Sequence, residues 1–242
     1  MIAWLNLRHS VPERTRAVEA GLRAHGYKVR PAADAPTVPG PRDALVSWNR
    51  IREGHPLAKR FEGEGRPVFV FENASWGNSF CGQRWYTVAL GYHNLKGHFP
   101  MRGPERWDSL GVKLEPWRTE GETVILPSRG IGPPAVAMPL DWTRGAYKRH
   151  GGRVRNHPGR GPAAVPLQTD LKSAGHVVTW GSGAAILAVM WGIPCTSYLP
   201  NWVGGQDNTD AGRLAMLRRL AWAQWTIEEI ENGQPFANFG AC

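Results

Sequence analysis

The stretch from His176 to Pro200, HVVTWGSGAAILAVMWGIPCTSYLP, limits the fold more than any other part of the chain. An apolar run rich in β-branched residues meets a Trp-Gly-Ser-Gly turn. The turn opens a short apolar helix, and Trp-Gly-Ile-Pro stops that helix before a second β-rich run. Strand, tight turn, helix and strand make a crossover between parallel strands. An unbroken apolar strand, as opposed to an alternating one, belongs in a sheet covered on both faces.

The same pattern recurs along the chain. MIAWLNL reads as a first strand. Ser10 is placed to cap a helix that carries Pro12 and Glu13 in its first turn and stops at Gly26. YKVRP, ALVSWN and PVFVFEN read as strands, and HPLAKRFEGEG as a helix. From Ala74 to Pro116 the alternation fails, and a long irregular segment rich in Gly, Asn, aromatics and Arg is predicted. A second α/β unit begins near Glu122 with the strand TVIL, the helix DWTRGAYKRH, the strand GRVR and a helical PLQTDLKSAG. After the opening stretch, NTDAGRLAMLRRLAWAQW reads as one helix capped by Asn208 or Thr209. Thr226 and Glu229 form a capping box for the last helix. The expected division is 1–118 and 119–242, with a hinge around 115–122.

Composition excludes several classes. No apolar run reaches the roughly 18 residues of a membrane span, and the first residues show no secretion signal. Cys81, Cys195 and Cys242 lack metal or disulfide spacing, so a reduced, cytoplasmic protein is expected. The net charge is +9. Residues 1–160 hold 25 of 29 Lys and Arg and 14 of 20 Asp and Glu, a net of +11, whereas residues 161–242 hold four against six, a net of −2. A basic portion beside a near-neutral one implies a polyanionic partner for the N-terminal part.

Three turns follow expected strands in the second half: Ser128 to Gly132 (SRGIG), Arg155 to Gly159 (RNHPG) and Gly181 to Gly183 (GSG). Ligands of a parallel sheet gather at the carboxyl ends of its strands. There Arg129, Gly130, His157, Ser182 and Gly183 offer a cation, an imidazole, a hydroxyl and backbone amides, a set suited to a nucleotide phosphate. Taken singly, each turn is equally a tight βα connection.

These residues carry a resemblance. A His-Pro turn followed by strand, Ser/Gly turn and helix resembles the nucleotide-sugar half of GT-B glycosyltransferases, nearest to the capsular-polysaccharide and sialyltransferase-like families. ILPSRGIGP is similar to the inter-domain glycine loop of that group. The segment from Glu72 to Phe99 resembles one found in phage-type glycosyltransferases, although Asn-Leu-Lys-Gly stands where they have Gly-Leu-Asn-Gly. LAWAQWTIEEIENGQPF resembles their C-terminal helices. The resemblance implies an α/β, GT-B-like fold of two Rossmann-like parallel-sheet domains facing a cleft. It makes 1–118 the acceptor side and 119–242 the nucleotide-sugar side. It also implies a nucleotide-sugar co-substrate, a UDP-sugar first among them, and no separate cofactor.

Sugar transfer needs a bound leaving diphosphate and, for inversion, a carboxylate near the acceptor hydroxyl. The chain has no Asp-x-Asp pair, so a metal-independent reaction is expected, with Arg129, His157 and helix dipoles meeting the leaving charge. Glu72, at the end of PVFVFEN, is the candidate base. Gln206, Asp207 and Asn208 are candidate contacts for donor-sugar hydroxyls, or else a polar turn capping the next helix. For the acceptor, Trp76, Arg84, Trp85, Arg102 and Arg106 combine stacking surfaces with phosphate-binding cations. With the phage-type resemblance, they point to a hydroxymethylated pyrimidine in DNA. A capsule-type polysaccharide or glycolipid acceptor, a nucleotide-sugar epimerase, and a non-catalytic nucleotide- or DNA-binding protein remain open.

Overall fold

The computed structural model describes residues 1–7, 11–93, 95–159 and 164–239. The expected cap Ser10, Asn94 of the Asn-Leu-Lys-Gly piece and Cys242 lie outside them. The chain forms two units, residues 1–102 with 221–242, and residues 103–220.

The first unit starts as the sequence predicts, with β1 (Ile2–Asn6), α1 (Pro12–Ala24), β2 (Lys28–Pro31), β3 (Ala44–Trp48), α2 (Gly54–Gly63) and β4 (Val68–Asn73). Pro12 opens α1, where its missing N–H costs nothing. The expected irregular segment instead contains a hairpin, β5 (Ser79–Phe80) and β6 (Gln83–Leu90). Its turn is Cys81-Gly82, both at positive φ. β6 runs antiparallel to β4 along five residue pairs, from Phe69↔Leu90 to Asn73↔Tyr86.

The second unit holds α3 (Glu105–Asp108), β7 (Glu122–Leu126), α4 (Trp142–His150), β8 (Arg153–Val154), α5 (Leu167–Asp170), β9 (Ala174–Thr179), α6 (Gly183–Met190), β10 (Cys195–Ser197) and α7 (Asp210–Ala221). The helix predicted to run on through Trp225 stops at α7. The chain then re-enters the first unit as β11 (Gln224–Thr226), α8 (Ile227–Glu231) and α9 (Gln234–Asn238). β11 pairs antiparallel with β6, and the Gln224 side chain accepts from the Ser75 amide (3.0 Å) and the Thr87 hydroxyl (3.0 Å). The expected boundary near 118 is therefore corrected: pairing with β6 takes the C-terminal helices out of the second half. The Thr226–Glu229 capping box forms as predicted.

The larger sheet has the order β2-β1-β3-β4-β6-β11, with its first four strands parallel. One face packs Val46, Phe69, Phe71 and Tyr86 against Val18 and Leu22 of α1, Ile230 of α8 and Phe236 of α9. The other packs Leu45, Val68 and Val70 against Ala58 and Phe61 of α2. The smaller sheet, β8-β7-β9-β10, is parallel throughout. The two sheets thus share one strand plan. In each, the first strand in sequence is central, the second lies to one side, and the third and fourth lie to the other.

Candidate functional site

This plan puts a topological switch point between β7 and β9. The connections leave those strands in opposite directions, and a crevice opens at their carboxyl ends. Leu126 pairs with Thr179 at that edge. The Thr179 hydroxyl donates to the Leu126 carbonyl (2.8 Å) and accepts from the Ser182 amide (2.9 Å), which ties the two strand ends and the GSG turn together. Gly181 is obligatory there. Its φ is +65°, and an added Cβ would lie 2.5 Å from Leu199 Cδ2. Ser182 caps α6 by accepting from the Ala184 amide (3.3 Å), so its hydroxyl proton remains for another partner. Gly183, the first helical residue, has an amide that no carbonyl of its helix can accept.

Beside this turn lies an open pocket of about 320 Å³, lined by Pro127, Ser128, Arg129, Met138, Thr143, Asn156, His157 and Gly159. The structure therefore brings Arg129 and His157 together, as the sequence predicts. Gly130, at φ +64°, shapes the loop after Arg129. Ser182 and Gly183 sit at the neighbouring strand end, outside the lining. Asn156, Ser128 and Thr143 are additions. The first two stand inside the quoted turns, whereas Thr143 comes from the first turn of α4 and carries no local signal. The His157 Nδ1 accepts from the Gly159 amide (2.9 Å), which leaves Nε2–H as the donor of the neutral ring. Partial desolvation, then the charges of Arg129 and Arg155, hold this imidazole below its ordinary pKa. A neutral donor beside an arginine suits an anion that supplies its own negative charge.

No family model and no curated protein matches the chain. A solved structure does. KpsC of Thermosulfurimonas dismutans, titled a beta Kdo 2,4 transferase, aligns over 92% of this chain and 90% of its own. The TM-score is 0.57 and the identity 14%. The fold is GT-B-like. At this identity the likeness is one of fold.

The GT-B-like frame leaves other expected residues in different positions. Gln206, Asp207 and Asn208 do not reach the carboxyl ends. Asn208 Oδ1 accepts from the Cys195 amide (2.7 Å) at the start of β10, the opposite end of that strand, and from Gln206 Nε2 (2.7 Å). Asp207 Oδ1 accepts from the Thr209 hydroxyl (2.6 Å) and amide (3.0 Å), and these bonds hold its carboxyl below the ordinary pKa. Thr209 in turn caps α7 through the Gly212 amide (2.9 Å). The three are a helix-entry turn, the second of the two roles the sequence allows.

In the first unit, Glu72 is half-buried near the carboxyl end of β4, opposite Thr87 of β6. Trp76 and Trp85 are 2% and 3% exposed. Trp76 stacks on Phe80 at 5.0 Å and meets Trp85 edge-on at 5.3 Å. They anchor the β5–β6 hairpin and offer no open face to a base. Arg84 is exposed and pairs with Glu13 (2.6 Å). Arg102 lies 5.9 Å from the Trp222 ring, and Arg106 is in the short helix α3 of the other unit. The charge asymmetry also changes once the chain is divided by units. The first unit holds fifteen Lys and Arg against eleven Asp and Glu, a net of +4; the second holds fourteen against nine, a net of +5. Among the described residues, no three His, Cys, Asp or Glu side chains converge as metal ligands would, and no helix is long and apolar enough to cross a membrane.

Proposed function

We propose that this protein is a glycosyltransferase that moves a sugar from a nucleotide-sugar to a carbohydrate acceptor. The observation that carries the reading is the pocket at the switch point, where Arg129 and His157 line one wall set. There they meet the donor phosphate and take up the leaving charge without a resident cation. The sugar-transferase title of a structure sharing the fold supports the same reaction class. Glu72 is the proposed acceptor base, the half-buried carboxylate at a strand end of the first unit. A carbohydrate acceptor ranks ahead of DNA because Trp76 and Trp85 are in the core and the basic excess is shared between the units.

The test is incubation with a panel of nucleotide sugars, UDP-sugars first, alone and with glycan or hydroxymethylated DNA acceptors. Released nucleotide and product mass are followed. Arg129→Ala removes a charged donor to a bound anion, about 1.5–3 kcal/mol, and should weaken nucleotide binding roughly tenfold or more. Glu72→Gln should cut turnover about 10²–10⁴-fold with donor binding intact. Unchanged donor affinity in both Arg129→Ala and His157→Ala rejects the pocket. A mass gain on DNA alone replaces the carbohydrate acceptor.

A further inference from the structure

β8 is two residues long and lies at the edge of its sheet, yet the turn after it carries Asn156 and His157 into the pocket. Such a short edge strand holds little by backbone pairing alone. One carboxylate supplies the rest. Asp170, the last residue of α5, forms an ion pair with each arginine: its Oδ1 lies 3.0 Å from Arg153 Nη1, and its Oδ2 lies against Arg155 Nε. Arg153 also donates Nη2 to the Asp170 carbonyl (2.5 Å) and Nε to Glu122 Oε1 (3.0 Å), which the Ser173 hydroxyl also reaches (2.6 Å). Arg155 sends Nη2 to the Val165 carbonyl (3.1 Å), and its amide continues the ladder to Ile125 (2.9 Å). Two arginines and two carboxylates balance within this network, so Arg129 remains as the pocket cation that it does not neutralise.

We propose that Asp170 is the positioning residue of the anion pocket: through Arg153 and Arg155 it holds the Asn156–Gly159 turn in place beside Arg129. The proposal rests on the reading of that pocket as a phosphate site. Asp170 itself is not in the lining. Two physical effects of its removal have opposite signs. Loss of a carboxylate adds positive charge beside the pocket, and Coulomb attraction alone would then tighten an anion and lower the His157 pKa further. Loss of position does the reverse. His157 moves away from Gly159 and Arg129, its pKa climbs back toward the ordinary value, and the anion binds more weakly.

The experiment uses the full chain, with inorganic pyrophosphate as the probe in calorimetry and the His157 ring titrated by NMR without pyrophosphate. Asp170→Ala should bind pyrophosphate about tenfold more weakly, the loss expected for a charged hydrogen-bonding group held out of place. The His157 pKa should rise. Asp170→Glu should recover most of both, and Asp170→Asn carries the same expected signs if the alanine variant does not fold. Equal or tighter pyrophosphate binding, or a His157 pKa that falls, overturns the positioning role. A wild-type protein that ignores pyrophosphate would reject the phosphate reading, while the His157 titration would still decide the role of Asp170.

Discussion

Arg50→Met tests how the first unit is held beyond β3. The Arg50 side chain is 1% exposed. Its two terminal nitrogens bond both oxygens of Glu62, one of them also reaching the Gly91 carbonyl at 2.6 Å. Nε reaches His55 Nδ1 at 3.2 Å, and the guanidinium lies 4.1 Å from the centre of the Tyr92 ring. Met keeps the apolar stem and supplies none of the donors. Breaking a buried pair from one side costs about 3–5 kcal/mol. The Glu62 side chain is 36% exposed and can rehydrate, which favours the lower end, about 3 kcal/mol. The orphaned Gly91 carbonyl adds about 1 kcal/mol. At roughly 3–5 °C per kcal/mol for a unit of this size, the melting temperature should fall by about 12–20 °C. Calorimetry and urea titration measure the loss. The double variant Arg50→Met/Glu62→Leu should regain much of it, because the cost lies in the unpaired charge more than in the missing pair. A single variant that loses under about 1 kcal/mol, or a double variant no more stable than the single, would refute the reasoning.

The remaining predictions concern pH and the turns. Burial, then the charge of Arg50, lowers the His93 pKa to about 4. Between pH 6.5 and about 4 the unfolded chain takes a proton that the folded one refuses, so stability should fall by roughly 3 kcal/mol as pH drops through that window. Urea midpoints across it check the slope, which His93→Gln should flatten. At the pocket, a bound phosphate favours the imidazolium, so nucleotide-sugar affinity should rise as pH falls below 6.5. His157→Asn should abolish that rise, and a flat wild-type profile in calorimetry would count against the pocket. Asn208→Gly keeps the left-handed φ of +59° but deletes the amide on Cys195; it should cost about 1–2 kcal/mol in a melt and leave donor affinity unchanged.

Local rules carried most of the strands. Runs such as ALVSW and VFVF are buried on both faces, and no other element suits so apolar a short segment. The Thr226 box and Pro12 at a helix start were equally legible, because capping is decided within four residues. What failed depends on distant partners. Gln224 and Trp225 continue a helical pattern, and only pairing with β6 makes Gln224–Thr226 a strand. Trp76 and Trp85 stand among Asn, Gly and Arg and look exposed, yet they pack on each other across the hairpin. The charge split followed a cut in the sequence at residue 160, while the return of α8 brings Glu228, Glu229 and Glu231 back to the basic first unit. At the site, Arg129 and His157 were found because turns at strand ends announce themselves. Thr143 was not, since α4 reaches the pocket only once it is folded.

The two sheets also show why one strand plan yields different chemistry. At the switch point of the first unit, Asn6, Ser47 and the Asn49 carbonyl form a short hydrogen-bonded chain. Asn6 Nδ2 donates to Ser47 Oγ (3.2 Å), Ser47 donates to the Asn49 carbonyl (2.8 Å), and a Cβ on Gly54 of α2 would sit 3.1 Å from Ser47 Oγ. Two short polar side chains, a backbone carbonyl and a glycine let the helix start close over the strand ends, and among the described residues no cation joins that set. At the switch point of the second unit the corresponding polar links, Thr179 to Leu126 and Ser182 to Thr179, close only the floor. The long connection from Pro127 to Asp141 delays α4, so its first turn becomes a wall of the pocket instead of a lid over it. The length of that loop, and Arg129 within it, set the second scaffold apart from the first, and the proposed anion site rests on both.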